Sequence, residues 1–162
     1  MISGNGARVA VRCLAVFFLA IAGSLPARAA DAGHAHDVVP GKLHLDHGRK
    51  WATDEPLRRG MSAIRAAMAE RIEAIHGNRL AAADYRALGA TVDQEVARIV
   101  AECKLEPRAD AMLHLVIADL MAGAEAMQGK AKAKPSAGAQ KVVQALNAYG
   151  KYFDHPGWEA LK

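Results

Sequence analysis

Hydrophobic residues recur every three or four positions in four long segments of this chain, and polar residues occupy the positions between them. This spacing places the apolar side chains of each segment on one face of an α-helix. The four sets are Leu57, Met61, Ile64, Met68, Ile72 and Ile75; Tyr85, Leu88, Val92, Val96, Ile99 and Cys103; Leu113, Val116, Ile117, Leu120, Ala124 and Met127; and Val142, Leu146, Tyr149 and Phe153. Four such helices with short connections bury these faces best as an antiparallel up-down-up-down four-helix bundle. We therefore expect an all-α fold, with the bundle spanning residues 53–162.

Residues with known preferences for helix ends support these boundaries. Thr53-Asp54-Glu55-Pro56 offers side-chain acceptors, acids and a proline suited to a first turn, and Gly77-Asn78 is typical of a helix end. Pro107 begins the third segment, Ser136 is the expected N-cap of the fourth, and His155-Pro156-Gly157 stops it. The expected helices run from residue 56 to 77, 82 to 103, 107 to 127 and 136 to 153.

The first 29 residues have the pattern of a secretory signal peptide. Arg8 and Arg12 precede an apolar run from Cys13 to Leu25, and Ala27 and Ala29 stand at the small positions of a cleavage site. The run is shorter than the ~20 residues that a membrane-spanning helix needs. Arg12 directly before Cys13 also argues against lipoprotein processing. We expect a periplasmic protein with no membrane anchor after cleavage.

The length, net charge and cysteine content of the mature chain limit the classes of protein to which it can belong. Removing 29 residues from 162 leaves 133, the size of one domain, and lowers the net charge from +4 to +1 because Arg8, Arg12 and Arg28 leave with the signal peptide. A charge so close to neutral does not favour nucleic-acid binding. Cys103 is then the only cysteine, so no disulfide can form within the mature chain.

A cluster of histidines is the strongest candidate for chemistry. Four of the seven histidines, His34, His36, His44 and His47, lie in residues 30–52, which lack a helical stripe and are expected to form an extended arm. Imidazole is a good ligand for copper and zinc, and an arm that orders on binding would give an exchangeable site. The alternative is a solvated tail with no specific ligand.

Other candidate ligands have a structural explanation. His114 borders the third stripe and can bond to Asp110, and Cys103 and most methionines fit core positions. Trp51 and Trp158 are expected to pack. The motif Cys-x-x-Cys-His is absent, and the fourth helix carries no internal histidine to ligate haem opposite a methionine, so haem is not expected.

Enzymatic motifs are absent from the sequence. There is no Gly-x-Ser-x-Gly, no glycine-rich phosphate loop and no evident pair of inward carboxylates. We therefore expect a protein that is not an enzyme.

Several segments resemble small secreted proteobacterial helical-bundle proteins that have no assigned activity. The resemblance covers most of the mature region and is carried by residues 50–57, 60–61, 103–105 and 109–114. It implies a periplasmic helical bundle and transfers no functional residue.

Together these features favour a periplasmic, non-enzymatic metal-binding or metal-responsive protein that captures copper or zinc through the arm. The alternative is a periplasmic interaction or stress-adaptor bundle without metal, in which the arm and Trp51 dock a protein partner.

Overall fold

The computed structural model of the chain describes residues 41–162, and these residues are mostly helical. The signal peptide and residues 30–40 of the arm, with His34 and His36, lie outside the described residues. The helices are α1 (Glu55–Ala69), α2 (Ile72–His76), α3 (Ala82–Glu102), α4 (Pro107–Met127) and α5 (Pro135–Tyr152). No named strand occurs between residues 41 and 162. The expected all-α class is confirmed.

Helices that follow one another in the chain make the most extensive contacts. The helix α1 packs on α3, α3 on α4 and α4 on α5, while α1, α2 and α3 also touch α5. The buried faces are those that the hydrophobic periodicity indicates, and their innermost side chains are Leu57, Met61, Ile64, Met68, Val92, Ile99, Leu113, Leu120, Met127, Val142, Leu146, Tyr149 and Phe153. Among the described helices, none is both long and apolar enough to cross a lipid bilayer.

The first predicted helix is broken into α1 and α2, which corrects the expectation of one continuous helix. Arg71 between them has φ −112° and ψ 0°, and its N–H donates to the carbonyl of Met68 three residues earlier. Ile75 is buried, whereas Ile72 is only half-buried. Glu70 and Arg71 are good helix formers, so their helix propensities do not predict the break.

Asp54 organises the start of α1 and ties it to a distant connection. Its Oδ1 accepts a hydrogen bond from the Leu57 N–H at 3.0 Å, the expected N-cap, and its Oδ2 accepts from the Lys104 N–H at 2.6 Å. The start of α5 differs from the expectation, since Lys134 and not Ser136 occupies the N-cap position. Pro135 has a preset φ and no N–H to satisfy, which suits the first helical position.

The segments before α1 and after α5 are joined side by side. The Trp51 N–H donates to the Tyr152 carbonyl and the Asp154 N–H donates to the Trp51 carbonyl, both at 2.8 Å. Further along, Asn147 donates to the Leu161 carbonyl and accepts from its N–H, which holds the C-terminal residues against α5. Both ends of the helical region are thereby attached to it.

Two glycines bring α4 and α5 into backbone contact. A Cβ at Gly138 would lie 2.6 Å from the Gly123 carbonyl oxygen and 2.9 Å from the Met127 nitrogen. A Cβ at Gly123 would in turn lie 2.7 Å from the Gly138 carbonyl oxygen. Atoms of the backbone cannot rotate away as side chains do, so each of these positions excludes every larger residue unless the helices separate.

The interfaces of α1 with α3 and of α3 with α4 also bring the helices close together at a glycine. A Cβ at Gly60 of α1 would lie 2.5 Å from Ile99 Cγ1 of α3, and a Cβ at Gly89 of α3 would lie 2.8 Å from the Ala124 carbonyl oxygen of α4. Each pair of consecutive long helices therefore meets across a residue without a side chain.

We predict that Gly138→Ala destabilises the protein by about 2 kcal/mol, because the overpacking cost exceeds the gain of up to about 1 kcal/mol that alanine brings to a free helix. Urea unfolding followed by circular dichroism measures the change. The exposed neighbour gives a matched control, since Ala137→Gly should cost about 1 kcal/mol by helix preference alone. A stabilised Gly138→Ala variant would show that the two backbones are not in contact.

Removal of the Asp54 carboxylate should cost about 2 kcal/mol, because Asp54→Ala removes the cap of α1 and leaves the Lys104 N–H without this acceptor. Asp84 is an exposed acid in the first turn of α3 with no capping hydrogen bond, so Asp84→Ala should change the unfolding free energy by less than about 0.5 kcal/mol. Equal losses in the two variants would contradict this role of Asp54.

Candidate functional site

Two of the four candidate metal ligands, His44 and His47, belong to a segment that is folded onto the helices. Asp46 and Arg49 exchange backbone hydrogen bonds of 2.8 and 2.9 Å around His47 and Gly48. The φ angles of His47 and Gly48, +48° and +82°, are those of the two central residues of a type I′ turn. His47 therefore stands on the tip of a tight turn at residues 46–49, within the described part of the arm.

His44 is held in one tautomer by its neighbours. Its Nδ1 lies 3.1 Å from the Leu45 carbonyl oxygen, which can only accept, so Nδ1 carries the proton and Nε2 keeps its lone pair. The Trp51 Nε1–H donates to the His44 carbonyl at 2.6 Å, and the two rings meet edge to face at 5.7 Å. Trp51 is 5 % exposed, so it anchors this histidine to the core.

Asp46 places a carboxylate beside His47. Its Oδ1 lies 3.8 Å from His47 Nε2 and 3.4 Å from Arg108 Nη1, yet no group in residues 41–162 makes a hydrogen bond to it although it is shielded from solvent. We take the Arg108 contact as a long ion pair that satisfies the charge but not the hydrogen-bonding capacity of this oxygen.

The described residues do not by themselves assemble a closed metal centre. Within residues 41–162 no three side chains of His, Cys, Asp or Glu are close enough together to hold an ion. The other two candidate ligands, His34 and His36, lie outside the described residues.

The surroundings of the remaining candidate ligands, which are His114, the methionines and Cys103, are those of residues with a structural role. His114 Nδ1 is 2.9 Å from the Asp110 carbonyl oxygen, in keeping with its structural interpretation. Met61, Met68, Met112 and Met127 are buried, whereas Met121 is exposed. Cys103 follows α3 and is half-buried against the core. Burial, reinforced by Asp54 and then Asp110, raises the pKa of its thiol.

A second candidate site, which the sequence did not reveal, surrounds His155. An open cleft of about 470 Å³ lies between the first turns of α1 and the residues after α5, and its lining includes Thr53, Arg58, Ser62 and His155. In the sequence His155 stood only as part of a helix stop. Ser62 falls between two stripe residues of α1. Neither His155 nor Ser62 therefore belongs to a sequence pattern that indicates a functional site.

A chain of polar contacts runs from the core to this cleft. The Tyr149 hydroxyl is fully buried and lies 3.0 Å from His155 Nδ1, while His155 Nε2 lies 3.3 Å from Ser62 Oγ. Burial is the main cause that raises the pKa of Tyr149 far above its ordinary value, so the phenol stays protonated. Its O–H has no other acceptor in the described residues and therefore donates to Nδ1, which places the ring proton on Nε2.

Trp158 supports the histidine from behind. Its indole lies 4.9 Å from both the Tyr149 and His155 rings, and it covers Gly150, where any side chain would overlap it. The Arg65 guanidinium lies 5.9 Å from the indole centroid. The ring of His155 is thus packed on an aromatic cluster and is not free to swing.

The two arginines of the cleft differ in their partners. Arg59 forms ion pairs with Glu55 at 2.8 Å and with Glu102 at 2.7 Å. Arg58 is half-buried and uses only Nη1, which donates to the carbonyl and hydroxyl oxygens of Thr53 at 2.7 and 3.0 Å. No carboxylate of residues 41–162 lies within ion-pair distance of Arg58.

Comparison with known proteins adds no further assignment. No protein-family model, curated protein or solved structure matches this chain.

Acid should weaken the fold through His155. Burial first, and then the charge of Arg58, lowers the pKa of His155 below its ordinary value of 6.5, while Asp154 acts in the opposite sense. The unfolded chain binds this proton at a higher pH than the folded protein does. The stability contribution is therefore present above pH 6.5 and is lost as the pH falls towards the lower pKa of the folded state.

We predict that His155→Gln, which keeps an acceptor for Tyr149, loses less stability between pH 7 and pH 5 than the parent protein. Thermal unfolding across this pH range measures the difference in slope. Ser62→Ala removes the other contact but keeps the titrating ring, so it should retain the parent slope. An unchanged slope in His155→Gln would contradict the assignment.

Proposed function

We propose that this chain is a periplasmic, non-enzymatic protein that binds one copper or zinc ion through His34, His36, His44 and His47. The observation that carries the proposal is the state of the His44 ring, whose Nδ1–H is engaged by the Leu45 carbonyl while Nε2 keeps its lone pair. Histidines that ligate metals commonly donate their second ring nitrogen to a carbonyl or carboxylate in this way.

The turn at residues 46–49 carries the second candidate ligand, His47. His47 follows His44 by three residues, and its side chain is 63 % exposed on a turn whose backbone is closed by two hydrogen bonds. The Asp46 carboxylate beside it can orient the imidazole or bind the ion, and its Oδ1 still has capacity to accept. Two ligands and a carboxylate are thus supported on a segment anchored by Trp51.

The preceding chain is long enough to complete the site. Seven residues lie between His36 and His44, and the span from one histidine to the other reaches about 27 Å when extended. Gly41 adopts φ +100°, which permits a sharp change of direction. His34 and His36 can therefore return to His44 and His47. An arm that orders on binding would hold an exchangeable ion and not a permanent structural one, and this is the behaviour that we expect.

The scaffold that we propose is an antiparallel up-down-up-down bundle of α1 with α2, α3, α4 and α5. The dominance of contacts between consecutive long helices supports it, as do the short connections. The signal-peptide pattern of residues 1–29 supports secretion to the periplasm.

Metal titration of the full chain, expressed for export and purified without an affinity tag, tests this function. We expect calorimetry with copper or zinc to show one site, and expect its loss when all four histidines are changed to alanine. His44→Ala alone should weaken binding about tenfold or more. His76→Ala and His114→Ala are matched controls on the helical region and should leave binding unchanged.

Unaltered stoichiometry and affinity in the fourfold variant would overturn the proposal. So would a titration in which neither copper nor zinc moves the imidazole NMR resonances of His44 and His47.

A second candidate is an interaction or stress-adaptor protein without metal. Trp51 is buried in its own chain and is not available for docking, so this candidate depends on the rest of the arm or on another surface. Val100 and Met121 are 60 % and 44 % exposed and line one groove between α3 and α4, which is the observation in its favour. Partner capture from periplasmic extract that persists in a chelator and is lost in Val100→Lys would favour it over metal binding.

A further inference from the structure

The cleft beside His155 presents hydrogen-bond donors that no group in the described residues uses. Arg58 bonds through Nη1 alone, which leaves the Nε and Nη2 edge of its guanidinium unoccupied. This edge carries two parallel N–H groups. A carboxylate matches that pair with two hydrogen bonds in one plane.

The polar chain behind the cleft turns Ser62 into a further donor. Tyr149 donates to His155 Nδ1, so the ring proton lies on Nε2 and faces Ser62 Oγ at 3.3 Å. With Oγ as the acceptor of this contact, the serine hydroxyl proton is available to the cleft. The same protonation pattern prevents His155 from accepting the serine proton, so the arrangement suits binding and not nucleophilic catalysis.

The charges around the cleft select among anions. Arg59 is neutralised by Glu55 and Glu102, and the exposed Asp154 lines the same cleft as Arg58. With a neutral His155, the acids and bases lining the cleft balance. The lining therefore has no surplus positive charge to offset the second charge of a dianion. The Glu55 and Asp154 carboxylates repel each added negative charge, so the cleft favours a monoanion.

We propose that this cleft binds a small organic monocarboxylate, with its two oxygens on the Nε and Nη2 edge of Arg58 and one of them accepting from the Ser62 hydroxyl. Ala52 and Pro156 line the cleft as well and offer apolar contact to the rest of the ligand. The site is separate from the histidine segment, because none of its polar groups belongs to residues 41–50.

Ligand titration of the metal-free full chain tests the proposal. The probes are acetate and pyruvate as monocarboxylates, with inorganic phosphate as the competing anion, all against a chloride background of constant ionic strength. We expect saturable shifts of the His155 ring and Ser62 NMR signals with a monocarboxylate, and weaker binding of phosphate.

Matched variants assign the site to Arg58. Arg58→Gln should weaken carboxylate binding about tenfold or more, and Arg58→Lys should weaken it less because the charge remains while the two-pronged geometry is lost. Ser62→Ala should weaken it about fivefold, the effect of one hydrogen bond. Arg86→Gln makes the same charge change at an exposed position of α3 and should have no effect.

Three results would overturn the proposal: no saturable shift with either carboxylate, tighter binding of phosphate than of carboxylate, or full binding by both Arg58→Gln and Ser62→Ala. Arg58 also holds Thr53, so circular dichroism must show that Arg58→Gln is folded. If it is not, Ser62→Ala decides the matter, since that exposed serine has no packing role. Metal binding is unaffected by any of these outcomes.

Discussion

Close approach of neighbouring helices across glycine is the constraint on which the rest of this structure depends. Gly60, Gly89 and the pair Gly123 and Gly138 stand at the three interfaces between consecutive long helices, and in the last of these two backbones touch. Five alanines of residues 41–162 belong to the buried core, and short distances between helices bring such small side chains into contact. At each of these positions the loss of helix preference from glycine is offset by dispersion contacts along the whole interface.

This tight packing places both candidate sites around one short stretch of chain. Trp51 lies in the core and pairs with the backbone on either side of Phe153, so the end of α5 and the segment before α1 form one unit. His44 is attached to that unit through the Trp51 indole, and His155 is attached through the Tyr149 hydroxyl. In the first case a buried indole fixes the position of the residue that carries the imidazole. In the second a buried phenol sets the tautomer of the imidazole itself.

The two sites differ in how much of them local sequence could disclose. The histidines at 34, 36, 44 and 47 are close in the chain, so a cluster was visible without any structure. The Tyr149, His155 and Ser62 chain joins residues up to 93 positions apart, and a serine on an exposed helix position carries no signal of its own. The sequence also does not disclose which of the adjacent Arg58 and Arg59 is paired with carboxylates, since Glu102 is 43 positions from Arg59.

By itself the sequence determined the helical class, the inward faces of the helices and most of their ends, because periodicity and capping act over a few residues. It indicated Asp54 as an N-cap, but not that its second oxygen binds the distant Lys104 N–H. Only the tertiary structure decided the break between α1 and α2, the backbone contact at Gly123 and Gly138 and the cleft around His155. These depend on which residues the packed helices bring together, and such long-range proximity leaves no periodic trace in a single chain.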